Sequence, residues 1–246
     1  MTDVEYQSDA GGPSFGSTTT YRIAALVPAL NCAGTITEVA RSVREYVGDV
    51  LVIDDGSMDE TAALAKNSGV VVVRHVVRRG KGGALLSGLR WASERGFTHV
   101  FTVDGDGQHL ASEMPALLEA SRVEPLAIVL GERSREGLDI SPIKLFGNRF
   151  ANRWVEIASG RAFDDTQSGF RIYPIASTLA LGSRASHYGF ETEVLIRGLR
   201  AGVPVICRTV KAYYPPAEER VSYYRPWLDT VRIIFIVVGL ILRLRR

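Results

Sequence analysis

Cysteine is scarce. Cys32 and Cys207 are the only two in 246 residues, too few for a disulfide framework, so a reducing compartment is the expectation. The N-terminus shows no basic patch followed by an apolar stretch, so no signal peptide is read there. Apolar length is short as well. A membrane-spanning helix needs about 20 apolar residues, and the C-terminal run at residues 233–242 stops at ten. Several nucleotide and metal signatures are missing. Gly80-Lys81 is followed by Gly82 and not by Ser or Thr, which excludes a Walker A loop, and the stretch is not Gly-x-Gly-x-x-Gly. No full calcium loop with a terminal Glu surrounds Asp104, and no internal repeat recurs at a fixed period. The formal net charge is only +2, and no nucleic-acid partner is expected.

What is present is the composition of an ordinary globular protein, 46% hydrophobic and 23% charged. The length suits one substantial α/β domain or at most two small ones. Charge is unevenly placed. Residues 1–20 carry Asp3, Glu5 and Asp9 without Lys or Arg, and their Gly, Ser and Thr content reads as a loose tail. From Arg197 to Arg246, basic residues outnumber Glu218, Glu219 and Asp229, which suits phosphate ligands or an anionic membrane face.

From Tyr21 onward, short β-rich runs alternate with helical patterns. Residues 22–26, 50–53, 70–74, 99–103 and 127–130 read as buried strands, each ending at a Pro, Asp or Gly. Ile36, Val39, Ala40, Val43 and Val47 fall at helical spacing, and residues 84–92 read as a helix behind a glycine-rich turn. Strands separated by helices predict an α/β fold with a mostly parallel sheet covered on both faces. Ligands of such sheets bind beyond the carboxyl ends of the strands.

Those ends carry the chemistry. The second strand closes in Asp54-Asp55-Gly56-Ser57, where a carboxylate can accept from a base or ribose, although Asp-Gly also marks ordinary turns and helix caps. The fourth closes in Asp104-Gly105-Asp106-Gly107-Gln108-His109. Carboxylates at i and i+2 share one face of an extended stretch. Crowded there they repel, and with the Gln108 amide they offer hard oxygens to Mg²⁺ or Mn²⁺. His109 reads as a polar neighbour. Lys81, in Arg79-Gly80-Lys81-Gly82-Gly83, adds charge near a helix N-terminus, as a phosphate cradle or as part of a structural turn.

Taken in order, these segments resemble family 2 inverting glycosyltransferases, and within them the dolichol- or polyprenyl-phosphate mannosyl/glucosyltransferase branch. The resemblance runs from about Ile23 to Ala212 and rests on Val27-Pro28-Ala29-Leu30-Asn31, Asp54-Asp55-Gly56-Ser57-x-Asp59 and the Asp104-x-Asp106 motif. Gly131-x-Arg133, Asn148-Arg149-x-x-Asn152 and Ser168-Gly169-Phe170-Arg171 follow at suitable distances. It implies a Rossmann-like nucleotide-diphosphosugar transferase fold over residues 21–228. Pro28, Asn31, Asp54, Asp55, Lys81, Asp104, Gly105 and Ser222 would contact a GDP- or UDP-linked sugar. Asp104, Asp106 and Gln108 would organise Mg²⁺ or Mn²⁺. Arg133 and Arg149 look like the arginines that receive the donor sugar and the acceptor's phosphate. The chain departs from the family pattern at Cys32, where Glu is frequent, at Gly105, usually Ala, and at residues 219–224, which replace an Arg-x-x-Gly-Glu-Ser-Lys segment.

The reaction expected from that resemblance is one in-line displacement with inversion, with catalytic contributions from Asp106, Arg133, Arg149 and Asp165. A lipid phosphate acceptor is already anionic at neutral pH and needs no strong base; a hydroxyl acceptor needs one, and Asp165, Glu191 and Glu193 are the candidates. Residues 229–246 read as an apolar, Arg-flanked helix. It would lie on the cytoplasmic face of a membrane as an interfacial anchor, or pack on the domain. The rivals are a nucleotidyltransferase, disfavoured because Pro28-Ala29-Leu30-Asn31 stands where its glycine-rich turn belongs, and a non-catalytic nucleotide-sugar binder at a membrane.

Overall fold

The computed structural model describes residues 20–134, 142–183 and 189–213 together with residue 239, without the side chains of residues 142–146. The tail before Thr20, the segment 229–246 apart from Gly239, and Ser222 lie outside the described residues. The described strands are β1 (Ile23–Ala29), β2 (Val50–Asp54), β3 (Val71–Arg74), β4 (His99–Thr102), β5 (Ile128–Arg133), β6 (Arg171–Pro174) and β7 (Val205–Val210). They form one sheet in the order β3-β2-β1-β4-β6-β5-β7. Every pairing is parallel except the two made by β6, which runs antiparallel between β4 and β5. The helices are α1 (Ile36–Arg44), α2 (Thr61–Asn67), α3 (Gly80–Glu94), α4 (Met114–Val123), α5 (Pro142–Ser159), α6 (Ile175–Ala180) and α7 (Gly189–Arg200).

Alternation along the strands explains why both faces are covered. Leu26, Leu51 and Ile53 point into one core layer, with Leu85 and Leu89 of α3, Val155 of α5 and Val194 and Leu195 of α7. Val27, Val50 and Val52 point into the other, with Ile36, Val39 and Val43 of α1 and Leu117 of α4. Period-two side chains of a doubly covered sheet are apolar on both sides, which is why β2 is buried at all five positions.

Two expectations shift. The first strand passes through Pro28 instead of ending there. Ala25 and Ala29 direct their backbone groups toward β2 and its following residue, through Ala25 N–H to Asp49 and Asp55 N–H to Ala29. Pro28 therefore faces the β4 side, where pairing has already stopped at Leu26 with Thr102. Its missing N–H breaks no ladder bond. The glycine-rich stretch does not precede a helix at residue 84; it is the first turn of α3, which starts at Gly80. Glycine is a poor helix former, by about 1 kcal/mol against alanine. Here the Asp55 carboxylate accepts the N–H groups of Arg79 (2.8 Å) and Gly80 (2.7 Å) and caps that turn from another loop.

Candidate active site

The carboxyl ends of β1, β2 and β4 meet at one end of the sheet, and short side-chain bonds lock their loops together. Asn31, with a positive φ of 48°, donates its N–H to Ser57 Oγ at 2.9 Å and accepts from Met58 N–H at 2.8 Å. Ser57 N–H in turn bonds Asp54 Oδ1, and the other Asp54 oxygen lies 3.1 Å from Arg74 Nε. Asp55 is buried and carries His75 Nδ1 at 2.8 Å besides the two α3 amides. Its carboxylate thus ties β2, the loop after β3 and the start of α3 into one unit, the helix-cap use of an Asp-Gly pair. The Pro28 carbonyl and Cys32 Sγ flank Gly105 so closely that a Cβ there would sit 3.2 Å and 3.4 Å from them. Burial pushes the Cys32 thiol up to about 11, so it stays a neutral thiol beside the carboxylates.

Beside these loops Lys81, in the first turn of α3, reaches Asp104 Oδ1 at 2.6 Å and Glu191 Oε1, at the start of α7, at 2.8 Å. Burial alone would lower the Lys81 ammonium, but the two carboxylates outweigh it and hold the group above its ordinary range. Burial would likewise raise Asp104, yet Lys81 and His109 hold its carboxyl well below the usual range. Asp106 goes the other way: burial, and then the Asp104 charge, raise it. One Asp106 oxygen accepts Gln108 N–H at 3.0 Å. His109 stacks on Phe170 with centroids 5.0 Å apart and lies 3.5 Å from Asp104, a polar neighbour as expected. Among the described residues no three His, Cys, Asp or Glu side chains converge as a metal cage. The oxygen donors here are the two carboxylates and the Gln108 amide.

The β5–β7 half is built differently. Arg133, ending β5, donates through Nε to Asp165 Oδ2 at 2.5 Å and through Nη2 to Oδ1 at 3.1 Å. Burial would raise Asp165, but this two-bonded guanidinium holds it below the usual carboxylate range. Glu132 supports the same loop by accepting the Asp164 and Asp165 N–H groups. Asn152 of α5 accepts both N–H and hydroxyl of Thr166. A hollow of about 240 Å³ lined by Glu132, Arg133, Ser134, Asp164 and Thr209 opens beside the pair. Arg149, on α5, is exposed and is not drawn into either group among the described residues.

Two contributors were not legible beforehand. Arg171 is fully buried and donates to the carbonyls of Thr166, Ser168 and Glu191, fastening the loop before β6 to the start of α7. Gly169 lies against the Asp104-x-Asp106 segment: a Cβ there would come 2.5 Å from Asp104 Oδ2. Both belong to the Ser168-Gly169-Phe170-Arg171 segment, but spacing alone says nothing of what they touch.

Together, a doubly covered sheet with a reversed sixth strand and a carboxylate motif at the end of β4 define a Rossmann-like nucleotide-diphosphosugar transferase. Residues 24–186 match the sequence model of glycosyl transferase family 2. The chain belongs to that family, and is a nucleotide-sugar-dependent glycosyltransferase. It is similar to the undecaprenyl-phosphate mannosyltransferase of Micrococcus luteus, 28% identical over 198 residues, covering 75% of this chain and 81% of that protein. It also resembles the UDP-N-acetylglucosamine–dolichyl-phosphate N-acetylglucosaminyltransferase of Methanococcus voltae, 26% identical over 194 residues, covering 70% and 77%. Among solved structures, glucosyl-3-phosphoglycerate synthase from Mycobacterium tuberculosis, in complex with Mn²⁺, uridine diphosphate and phosphoglyceric acid, shares the fold. Its TM-score is 0.69 at 23% identity, covering 89% of this chain and 78% of that one.

Proposed function

We propose that the chain moves a sugar from a GDP- or UDP-linked donor to a polyprenyl- or dolichyl-type lipid phosphate, with inversion, at the cytoplasmic face of a membrane. One observation carries the choice of acceptor. All three carboxylates that could serve as base for a hydroxyl are already bonded: Asp165 to Arg133, Glu191 to Lys81, and Glu193 to Arg197 at 2.7 Å and Ser183 at 2.6 Å. A phosphate acceptor, with a second pKa near ~6, arrives anionic and asks for no base. The names of the two relatives, both lipid-phosphate transferases, support the same acceptor class.

The donor set fits a divalent cation. Burial, and then the neighbouring Asp104 charge, raise Asp106, and one or two carboxylates plus substrate phosphates is the usual way to hold Mg²⁺. The Mn²⁺ and uridine diphosphate of the structural neighbour support this assignment. Asp104, Asp106 and Gln108 would hold Mg²⁺ or Mn²⁺, which supplies positive charge for the departing diphosphate. Lys81 adds a fixed ammonium on the same side. Asn31 and Asp54, at the loops Asp55 ties down, and the Pro28 and Gly105 backbones shape the nucleotide end; Ser222 is assigned to that end as well. Arg133 and Arg149 are the proposed contacts for the donor sugar and the acceptor's phosphate, with Asp165 orienting Arg133.

Among the described residues no helix is long and apolar enough to cross a membrane. Peripheral attachment through residues 229–246 is part of the proposal. A second reading, transfer to a hydroxyl, is favoured by the fold shared with a synthase of glucosyl-3-phosphoglycerate. The two are separated by incubating the enzyme and Mn²⁺ or Mg²⁺ with a panel of UDP- and GDP-sugars, with and without polyprenyl phosphate. Metal-dependent transfer to the lipid phosphate is expected. Donor hydrolysis with no lipid product would move the acceptor to a hydroxyl, and no turnover would leave only a nucleotide-sugar binder.

A further inference from the structure

One side chain puts a positive charge on the carboxylate motif itself. Lys81, in the first turn of α3, is 14% exposed at its side chain, and its ammonium lies 2.6 Å from Asp104 Oδ1 and 2.8 Å from Glu191 Oε1. It is held from both ends. Asp55 caps the backbone turn that carries it, through the amides of Arg79 and Gly80. Glu191 is buried in the first turn of α7, and its carbonyl accepts Arg171 Nη1 at 3.0 Å. A bridge from α3 to α7 needs only Glu191. The second contact sets the ammonium against Asp104, whose other oxygen has His109 3.5 Å away. A divalent cation that draws on Asp104 therefore meets an ammonium already bonded there, and the two repel. A diphosphate offers negative oxygens to both cations and removes the conflict.

We propose that Lys81, positioned by Glu191, is a resident counter-cation of the Asp104-x-Asp106 motif and couples metal binding to the nucleotide diphosphate. The metal alone is held weakly, because Lys81 has already taken part of the carboxylate charge. Metal and diphosphate together are held well, and each raises the affinity for the other by the same factor. Glu191 is then a positioning residue and not a base: it shares the ammonium with Asp104 and fixes where the charge sits. The inference rests on the metal and diphosphate part of the function proposed above, and is independent of the acceptor.

The test measures binding to the full-length protein. Mn²⁺ alone is titrated by the electron paramagnetic resonance signal of the free ion; UDP and GDP are titrated by calorimetry with and without Mn²⁺. Lys81→Met should tighten Mn²⁺ alone about tenfold, as loss of a neighbouring positive charge does even at water-like screening. The factor by which Mn²⁺ tightens the nucleotide should fall about tenfold in the same variant. Lys81→Arg, which keeps the charge, should stay within about threefold of wild type on both readings. Glu191→Gln leaves the ammonium to Asp104 and should weaken Mn²⁺ alone about threefold. Lys66→Met, at an exposed lysine in the last turn of α2, is the control for a general loss of charge and should change neither. A purely structural bridge would lower the melting temperature of the Lys81 and Glu191 variants and leave Mn²⁺ affinity as it is, which would overturn the inference. Should Lys81→Met not fold, unchanged Mn²⁺ affinity in Glu191→Gln would overturn it alone. Equal coupling in wild type and Lys81→Met would fail the role of Lys81 and keep the metal site. No Mn²⁺ uptake by wild type, even with nucleotide, would fail the metal assignment and this inference with it.

Discussion

The two charged clusters at the rim of the sheet are opposites. Around Asp165 every strong acceptor is met: a guanidinium grips both carboxylate oxygens, and the Gln167 amide adds a third donor. Around Asp104 the ammonium of Lys81 bonds two carboxylates, Asp104 and Glu191, with His109 3.5 Å from Asp104, while Asp106 beside them is raised by its burial and then by the Asp104 charge. The first cluster is charge-balanced as it stands, and Asp165 fixes the position of the Arg133 guanidinium. The second carries surplus negative charge, the condition under which a cation binds. Two groups of similar composition are thereby assigned different duties by counting their charges.

The contrast is tested most severely at Asp106. Asp106→Ala should reduce metal-dependent transfer on the order of a thousandfold while the fold persists, measured as donor turnover against Mn²⁺ concentration; wild-type turnover would sink the metal assignment. Gly169→Ala should drive a methyl into the Asp104 carboxylate and lower turnover by roughly a hundredfold through misplacement alone, with the melting temperature nearly unchanged. At the complete cluster the effect falls on stability. Asp165→Ala, which leaves Arg133 without its partner, should cost about 3 kcal/mol in urea unfolding.

The acid side sharpens the distinction. The folded pKa of Asp165 is depressed, so its contribution is present above the ordinary carboxylate range and disappears as pH falls through the depressed value. Asp165→Asn should flatten the acid limb of the stability curve. Asp106 has the opposite sign: its raised pKa favours the folded state at low pH, and that contribution is lost as pH rises through it. Asp106→Asn should therefore raise the melting temperature of the metal-free protein at neutral pH, and saturating Mn²⁺ should erase that advantage over wild type. A drop in melting temperature would show that the carboxylates are not in conflict.

Most of the half built on β1, β2 and β4 could be read from the chain before folding, because its signals are local. Apolar strands, a helix at 3.6 spacing and carboxylates at strand ends each occupy a few consecutive residues. Ile36, Val39, Ala40 and Val43 are indeed the buried face of α1. The cap that Asp55 places on α3 and the bridge from Lys81 to Glu191 were not legible. They join residues 24 to 110 positions apart, and nothing in the local pattern says which partner a carboxylate will find. The same limit hid Arg171, whose three acceptors are backbone carbonyls and leave no trace in residue identity. Sequence reasoning assigned Asp165 and Arg133 separate roles because only the antiparallel return of β6 brings them together.

That reversed strand has a consequence for how such enzymes diversify. β5 leaves the sheet at the site end and β6 re-enters there, so the connection between Arg133 and Arg171 begins and ends at the rim, while α5 within it packs Val155 into the core on one face of the sheet. The connection's length can change without shifting the register of any strand, and lengthening a loop is thermodynamically mild, about 0.6 kcal/mol for each doubling. The chain thus separates a fixed frame of strands from a connection whose length can vary while the carboxyl ends of β1, β2 and β4 stay as they are.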